Sequence, residues 1–330
     1  MNENKIDKNH QEDFVDILKM INNSRDNALR SVNTELINLY WNIGKYIDEK
    51  IEKSNWGNSV VKKLSDYLIE KEPTIKGFSD KNIWRMRQFY SSYKNFPKLA
   101  PLVREITWTH NLIIFSRCKS IEEKEFYLHK TKKEKWSKRE LDRQISSSLF
   151  ERAMISDTKL SPHTKEIYPN TNKYFKEDYV FEFLGLNEHY NEDELQKKII
   201  NNLKNFILEI GKDFSFIGEK YRLQVGNSDF YIDLLFFHRQ LQCLVAFELK
   251  TEKFRPEHIG QLNFYLEALD RDVKNDNENP SVGILLCNDK DDTVVEYALS
   301  RSLSPAMISQ YQTKLPDKKL LQRKFEELLD

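Results

Sequence analysis

The chain has 330 residues, 39% hydrophobic and 12% aromatic, a composition that can build cores and so excludes disorder as the global state. Its 52 Lys+Arg balance 52 Asp+Glu, and no stretch approaches the ~20 apolar residues that a bilayer span requires. At roughly 100–200 residues per domain, the length predicts about two domains.

The neutral total conceals an asymmetry. Pro73–Arg143 holds 17 Lys/Arg against 8 Asp/Glu, a surplus of nine. Such a basic stretch suits phosphate contacts, where Lys and Arg displace counterions, and it equally suits an ordinary solvated surface. Cys118, Cys243 and Cys287 lie far apart with no metal-ligand spacing, and Met1–Lys5 lacks the apolar core of a signal peptide. A reduced, cytoplasmic protein with no membrane association is expected.

The first half reads as helical. Phe14, Ile17, Leu18 and Ile21 recur at helical spacing, as do Leu36, Leu39, Tyr40, Ile43 and Ile47. Val60, Val61, Leu64, Tyr67 and Leu68 line a further helix that stops before Pro73. After the connector Thr74–Phe78, Ser79 can cap a helix carrying Ile83, Met86, Phe89 and Tyr90. Two short helices with a tight turn, the second bearing Lys81, Arg85 and Arg87, suit a helix-turn-helix engaging DNA, and also any antiparallel helix hairpin. Ser137-Lys138-Arg139-Glu140 has the pattern of a capping box and opens a helix to Phe150. The periodicity then fails where Pro162, Pro169 and Asn170–Asn172 fall in a polar stretch. The expected organisation is a helical, DNA-binding domain over 10–155, a linker over 156–173 and a second domain over 174–330.

That second domain alternates helix and strand. Leu195–Gly211 repeats Leu195, Ile199, Leu203, Phe206, Ile207 and Ile210 at helical spacing. Strands are expected at Tyr221–Val225, Phe230–His238 and Leu241–Lys250, the last two joined as an antiparallel hairpin through Arg239-Gln240. A helix over Pro256–Leu269 leads to a buried strand, Val282–Cys287. Helices near Thr293–Leu299 and Lys318–Leu328 bracket a last strand around Met307–Tyr311. A helix crossing between strands favours an α/β sheet covered on its faces.

The chemistry concentrates on the hairpin. Strand alternation puts Ala246, Glu248 and Lys250 on one face, after a run, Cys243–Phe247, that is apolar on both. Asp233 precedes the equally apolar Leu234–Phe237. Two buried acids side by side repel unless a cation lies between them, and Mg²⁺ is the natural one, because it prefers carboxylate oxygens and keeps waters for substrate phosphates. Lys250 would sit at the edge of that site, able to orient or deprotonate water or to neutralise charge on phosphorus, as metal-assisted phosphodiester hydrolysis requires. Each residue taken singly also fits a cross-strand salt bridge.

Asp233 followed by Glu248-Leu249-Lys250 resembles the signature of the PD-(D/E)XK nuclease superfamily. Phe230–Arg239, Gly260–Leu266, Asn279–Cys287, Phe78–Tyr90 and Trp136–Leu141 are similar to the YhcG-type family within it. The resemblance spans about residues 15–328. It implies an α+β fold: an N-terminal all-α domain of helix-turn-helix or winged-helix character, then a restriction-endonuclease-like α/β sandwich with a mixed sheet. It also implies a metal-dependent DNA endonuclease of restriction, repair, recombination or mobile-element context, using Mg²⁺ or, in its place, Mn²⁺. A non-cleaving nucleic-acid-binding module and a subunit of a defence complex are the alternatives, with homo-oligomers or protein partners compatible with either. Carried over, Asp233, Glu248 and the Leu249 carbonyl become metal ligands and Lys250 the catalytic lysine. Glu209 becomes the assisting helix acid, and Gln261 and Tyr265 contact water or phosphate from the crossing helix. One departure is Ile232, which occupies the place of the signature's proline.

Overall fold

The computed structural model describes residues 8–54, 56–155, 160–169 and 174–327. The chain divides into two compact units, Met1–Asp142 and Arg143–Asp330. This division falls before the expected linker; residues 156–159 and 170–173 of that linker lie outside the described residues.

The first unit is helical: α1 (Lys8–Ser54), α2 (Asn58–Lys71), α3 (Asp80–Tyr93), α4 (Ala100–Glu105), α5 (Trp108–Arg117), α6 (Ile121–Glu134) and the first residues of α7 (Lys138–Ser146). The two apolar runs expected near Phe14 and Leu36 lie on one helix, because no Gly or Pro interrupts 15–43. Ile47 of α1 packs with Val61 of α2 and Ile83 of α3. Gly44 is what lets α1 and α3 meet backbone to backbone: a Cβ there would lie 2.2 Å from the Met86 carbonyl oxygen. The two expected caps form, with Ser79 Oγ accepting from Asn82 N at 3.3 Å and Ser137 Oγ from Glu140 N at 3.2 Å. Residues 72–79 separate α2 from α3, a longer joint than the three or four residues of a helix-turn-helix, and Ser65 Oγ ties it down by donating to the Phe78 carbonyl.

The second unit continues with α8 (Leu149–Ile155), α9 (Pro162–Ile167), β1 (Asp178–Val180), α10 (Glu192–Asn201), α11 (Leu203–Ile210), β2 (Phe214–Val225) and β3 (Ser228–His238). Then follow β4 (Cys243–Leu249), α12 (Glu257–Asp272), β5 (Asn279–Cys287), α13 (Asp292–Leu299), β6 (Ala306–Gln312) and α14 (Lys318–Glu327). One mixed sheet has the order β1-β6-β5-β4-β3-β2, antiparallel from β2 to β4 and parallel from β4 to β1. The helix expected over 195–211 is broken at Asn202 into α10 and α11. Strand β1, three residues long, was not anticipated.

The central strands β4 and β5 are buried on both faces, which is why they read as continuous apolar runs. Val245, Phe247 and Leu249 join Leu195, Ile199 and Phe206 in one core. Leu235, Ala246 and Leu285 join Ile259, Leu262 and Tyr265 of α12 in the other. Gly283 sets how closely α12 lies on β5, since a Cβ there would be 2.7 Å from Leu262 Cγ, a fully buried side chain. Gly283→Ala is therefore expected to destabilise the unit by about 1–3 kcal/mol, seen as a lower denaturant midpoint at unchanged slope.

Candidate active site

The hairpin β3–β4 brings the two acids together by register. Leu235 pairs with Ala246 and Leu234 with Phe247, so the next step along the ladder sets Asp233 opposite Glu248. Alternation turns both toward the α12 side, where Leu235 and Ala246 already lie. Asp233 Oδ2 accepts from the Leu249 N–H at 2.9 Å, which fixes that carboxylate against the end of β4. Gln196 of α10 donates to the Asp233 carbonyl oxygen at 2.7 Å and holds the same point of β3 from the opposite side of the ladder.

Glu248 is almost completely buried. Its Oε1 meets Lys250 Nζ at 3.1 Å, and its Oε2 is buried with no hydrogen-bond partner. Burial pushes the Glu248 carboxyl above its ordinary value, and the neighbouring Asp233 charge adds to the rise against the pull of Lys250. Asp233 is likewise raised by burial, opposed by the Leu249 N–H and Lys250. For Lys250 burial works against the charged form, and the Glu248 and Glu192 carboxylates outweigh it, so the amine is held above its ordinary value as an ammonium.

Glu192, in the first turn of α10, accepts from Lys250 Nζ at 3.2 Å. It is the helix acid that reaches the group, and the sequence reading missed it. Its only signal was an acidic first turn, Glu192-Asp193-Glu194, which complements the helix dipole in any protein. Glu209, assigned that role by resemblance, is held elsewhere. It is fully buried in α11, accepting from Arg143 Nη1 at 2.9 Å, Gln144 Nε2 at 3.2 Å and the Val180 N–H at 3.2 Å, with Lys176 Nζ at 3.3 Å. Its position is a structural ion cluster, satisfied on both oxygens.

Gln261 and Tyr265 are neighbours on α12, the Gln261 amide donating to the Tyr265 hydroxyl at 2.7 Å. Burial raises the Tyr265 phenol, and the charges of Glu248 and Asp233 add to the rise while the Gln261 hydrogen bond and Lys250 oppose it. Leu249 has its side chain in the opposite core, so only its backbone faces the site. In the helical unit Lys81 and Arg85 are exposed on α3, whereas the Arg87 guanidinium donates to Asp48 Oδ1 at 2.9 Å and lies over the Trp84 ring.

Among the described residues, no three His, Cys, Asp or Glu side chains gather as a metal cage. The available donors are two carboxylates, one with a partnerless buried oxygen and the other accepting from the Leu249 N–H. That set fits Mg²⁺, which takes one or two carboxylates and completes its shell with waters and substrate phosphates.

Beside the group, at the carboxyl ends of β4, β5 and β6, a polar cleft of about 780 Å³ is lined by residues that include Thr251, Asn288 and Tyr311. Tyr311 bonds to the Lys250 carbonyl oxygen at 3.3 Å, so the cleft adjoins the amine-bearing residue. Ligands of open α/β sheets bind at that edge.

Residues 172–326 match the YhcG PDDEXK nuclease domain, and residues 16–152 match the DUF1016 N-terminal domain. A curated relative from Escherichia coli (strain K12), "Putative nuclease YhcG", is 31% identical over 346 residues, covering 92% of this chain and 90% of the relative. Among solved structures, an EndoMS-dsDNA2 complex aligns at 17% identity and a TM-score of 0.27, covering 40% of this chain and 48% of that one. A repair endonuclease from Pyrococcus abyssi aligns at 15% and 0.26, covering 40% and 50%. The chain thus spans about half the length of those structures. No described helix is long and apolar enough to cross a membrane.

Proposed function

The chain belongs to the YhcG family, a DUF1016 N-terminal domain followed by a PDDEXK nuclease domain, and on that premise we propose that it hydrolyses DNA phosphodiester bonds with a divalent cation. The observation that carries the reading is the juxtaposition of Asp233, Glu248 with its partnerless oxygen, and the Lys250 ammonium. Asp233, Glu248 and the Leu249 carbonyl are the metal-holding groups. Mg²⁺, or Mn²⁺ in its place, supplies Lewis-acid polarisation of the phosphate and a bound water of lowered pKa.

The remaining work falls to the chain's own groups. The Lys250 ammonium lies where negative charge grows on the phosphate oxygens, and its fixed placement stabilises that charge without reorganisation. Glu192 aims the amine, while Gln261 and Tyr265 offer an amide and a hydroxyl to phosphate or water. Lys81 and Arg85 of α3 are the phosphate-contacting cations of the helical unit. Arg87, already engaged by Asp48, positions that helix rather than supplying a third.

The test is a substrate panel of linear duplex, nicked, forked, four-way and single-stranded DNA, plus RNA, with Mg²⁺ or Mn²⁺. Cleavage of at least one DNA, stopped by EDTA, is the expected result. Binding that persists in EDTA without cleavage under any metal would replace the enzyme with a non-cleaving binding module. RNA cleaved in preference to every DNA would overturn the substrate assignment.

A further inference from the structure

The N-terminal half of α1 projects beyond the packed part of the helical unit. Every residue from 15 to 32 is exposed, about 27 Å of helix at 1.5 Å per residue. Beyond it, Asn33 Nδ2 donates to the Arg104 and Ile106 carbonyls at 3.1 Å, and Ile37, Tyr40 and Ile47 are buried. A solvated helix of this length is marginal on propensity alone, and polar residues all round would be its ordinary composition.

It is not polar all round. Leu18, Ile21, Leu29, Val32 and Leu36 fall at three- and four-residue steps, with Arg25 the one polar residue in the row and Ile17 beside it. Ile17 is 54% exposed, Leu18 56%, Leu29 69% and Val32 68%. The six apolar side chains together expose on the order of 600 Å² per helix, so that two such faces would bury roughly 1,200 Å², where specific stable interfaces begin.

We infer that this face is a self-association surface, on which the α1 of a second copy of the chain packs antiparallel. A parallel pair would stack Arg25 on its counterpart. The antiparallel register that sets Arg25 opposite Ile21 sets Ile17 opposite Leu29 and Leu18 opposite Ala28. It also lays the methylene stem of Arg25 along Ile21, leaving the guanidinium in water. The face is self-complementary in apolar pattern, as a two-fold interface must be.

Sedimentation equilibrium of the full chain tests this directly. The wild type should sediment at twice the 39.5 kDa chain mass. Leu18→Glu with Leu29→Glu should sediment at the single mass, its dissociation constant raised at least about 100-fold, with unchanged circular dichroism because both positions are exposed. A wild type at single mass across the concentration range overturns the proposal. So does a double variant that still dimerises. Orientation is read by cross-linking, because Cys118, Cys243 and Cys287 are buried and an introduced thiol is the accessible one. Oxidation should join Ile17→Cys to Leu29→Cys chains on mixing and join neither to itself. Self-linked Ile17→Cys would overturn the antiparallel arrangement.

Discussion

Glu248→Gln is expected to remove hydrolysis and, in the absence of metal, to make the protein more stable. Activity should fall by roughly a hundredfold to a thousandfold or more, since on the proposed function an anionic metal-holding group is exchanged for a neutral amide. The stability gain follows from the direction of the Glu248 shift. Its carboxyl is raised in the fold, by burial first and Asp233 second, so the folded state binds its proton more tightly than the unfolded chain does. Stability is therefore lost as pH rises from the ordinary carboxylate range through the folded pKa, and at pH 8 the ionised side chain is a net cost. Removing that charge should contribute on the order of 1 kcal/mol, one pKa unit being about 1.4 kcal/mol. For a unit of this size that corresponds to about 2–4 °C in Tm. Lys250→Ala should also silence hydrolysis, but it should lower Tm, because it leaves Glu248 and Asp233 without their cation. Differential scanning calorimetry in EDTA separates the two. A lower Tm for Glu248→Gln would mean that the ion pair with Lys250 outweighs the carboxylate repulsion.

The second large effect lies away from the chemistry. Glu209→Gln is expected to destabilise the second unit by about 3–5 kcal/mol, the usual result of removing one partner from a buried ionic group. Arg143, Arg152 and Lys176 all converge on this carboxylate, and Arg143 is shared with Glu182 at 2.7 Å. Burial alone would raise the Glu209 carboxyl, and Lys176, Arg152 and Arg143 together overcome it and hold it at about 2. A carboxyl depressed in the fold gives stability that is complete above its unfolded value and is lost as pH falls toward the folded one. The gap between wild type and Glu209→Gln should accordingly be widest near neutrality and narrow below about pH 4.5. Denaturant titrations at several pH values measure it, and a gap independent of pH would point to packing rather than charge.

The centre of the candidate site was legible because its evidence is local. A period of two sets the faces of β3 and β4, the apolar runs around Asp233 and Glu248 mark central strands, and the short connection between them fixes the register. The sheet's parallel half was equally visible in Val282–Cys287 and Met307–Tyr311. What could not be read depended on tertiary contact. Glu192 looks like any first-turn acid until α10 is laid beside Lys250. The unit boundary at Asp142 is invisible in helical periodicity, since α7 and α8 resemble the helices before them. Arg143 and Arg152 nevertheless pair with Glu209, and the Arg152 guanidinium donates to the Asp178 carbonyl at 2.6 Å, which ties these helices into the second unit. Strand β1 is too short to show a period, and its place beside β6 is set by parallel pairing with Gln310–Gln312. The Asn202 break has no Gly or Pro to announce it, and it separates a helix serving the site from one serving the ion cluster.

The arrangement of Lys250 between Glu248 and Glu192 bears on how the protein comes into being. Zinc-finger-like domains have to meet their ion before they can fold, because nothing else cancels their clustered ligands. Here the polypeptide carries its own counter-ion to the two strands, covalently attached two residues from one of the acids it neutralises. On the proposed function, a divalent ion would then load after the sheet has assembled instead of being a condition for its assembly.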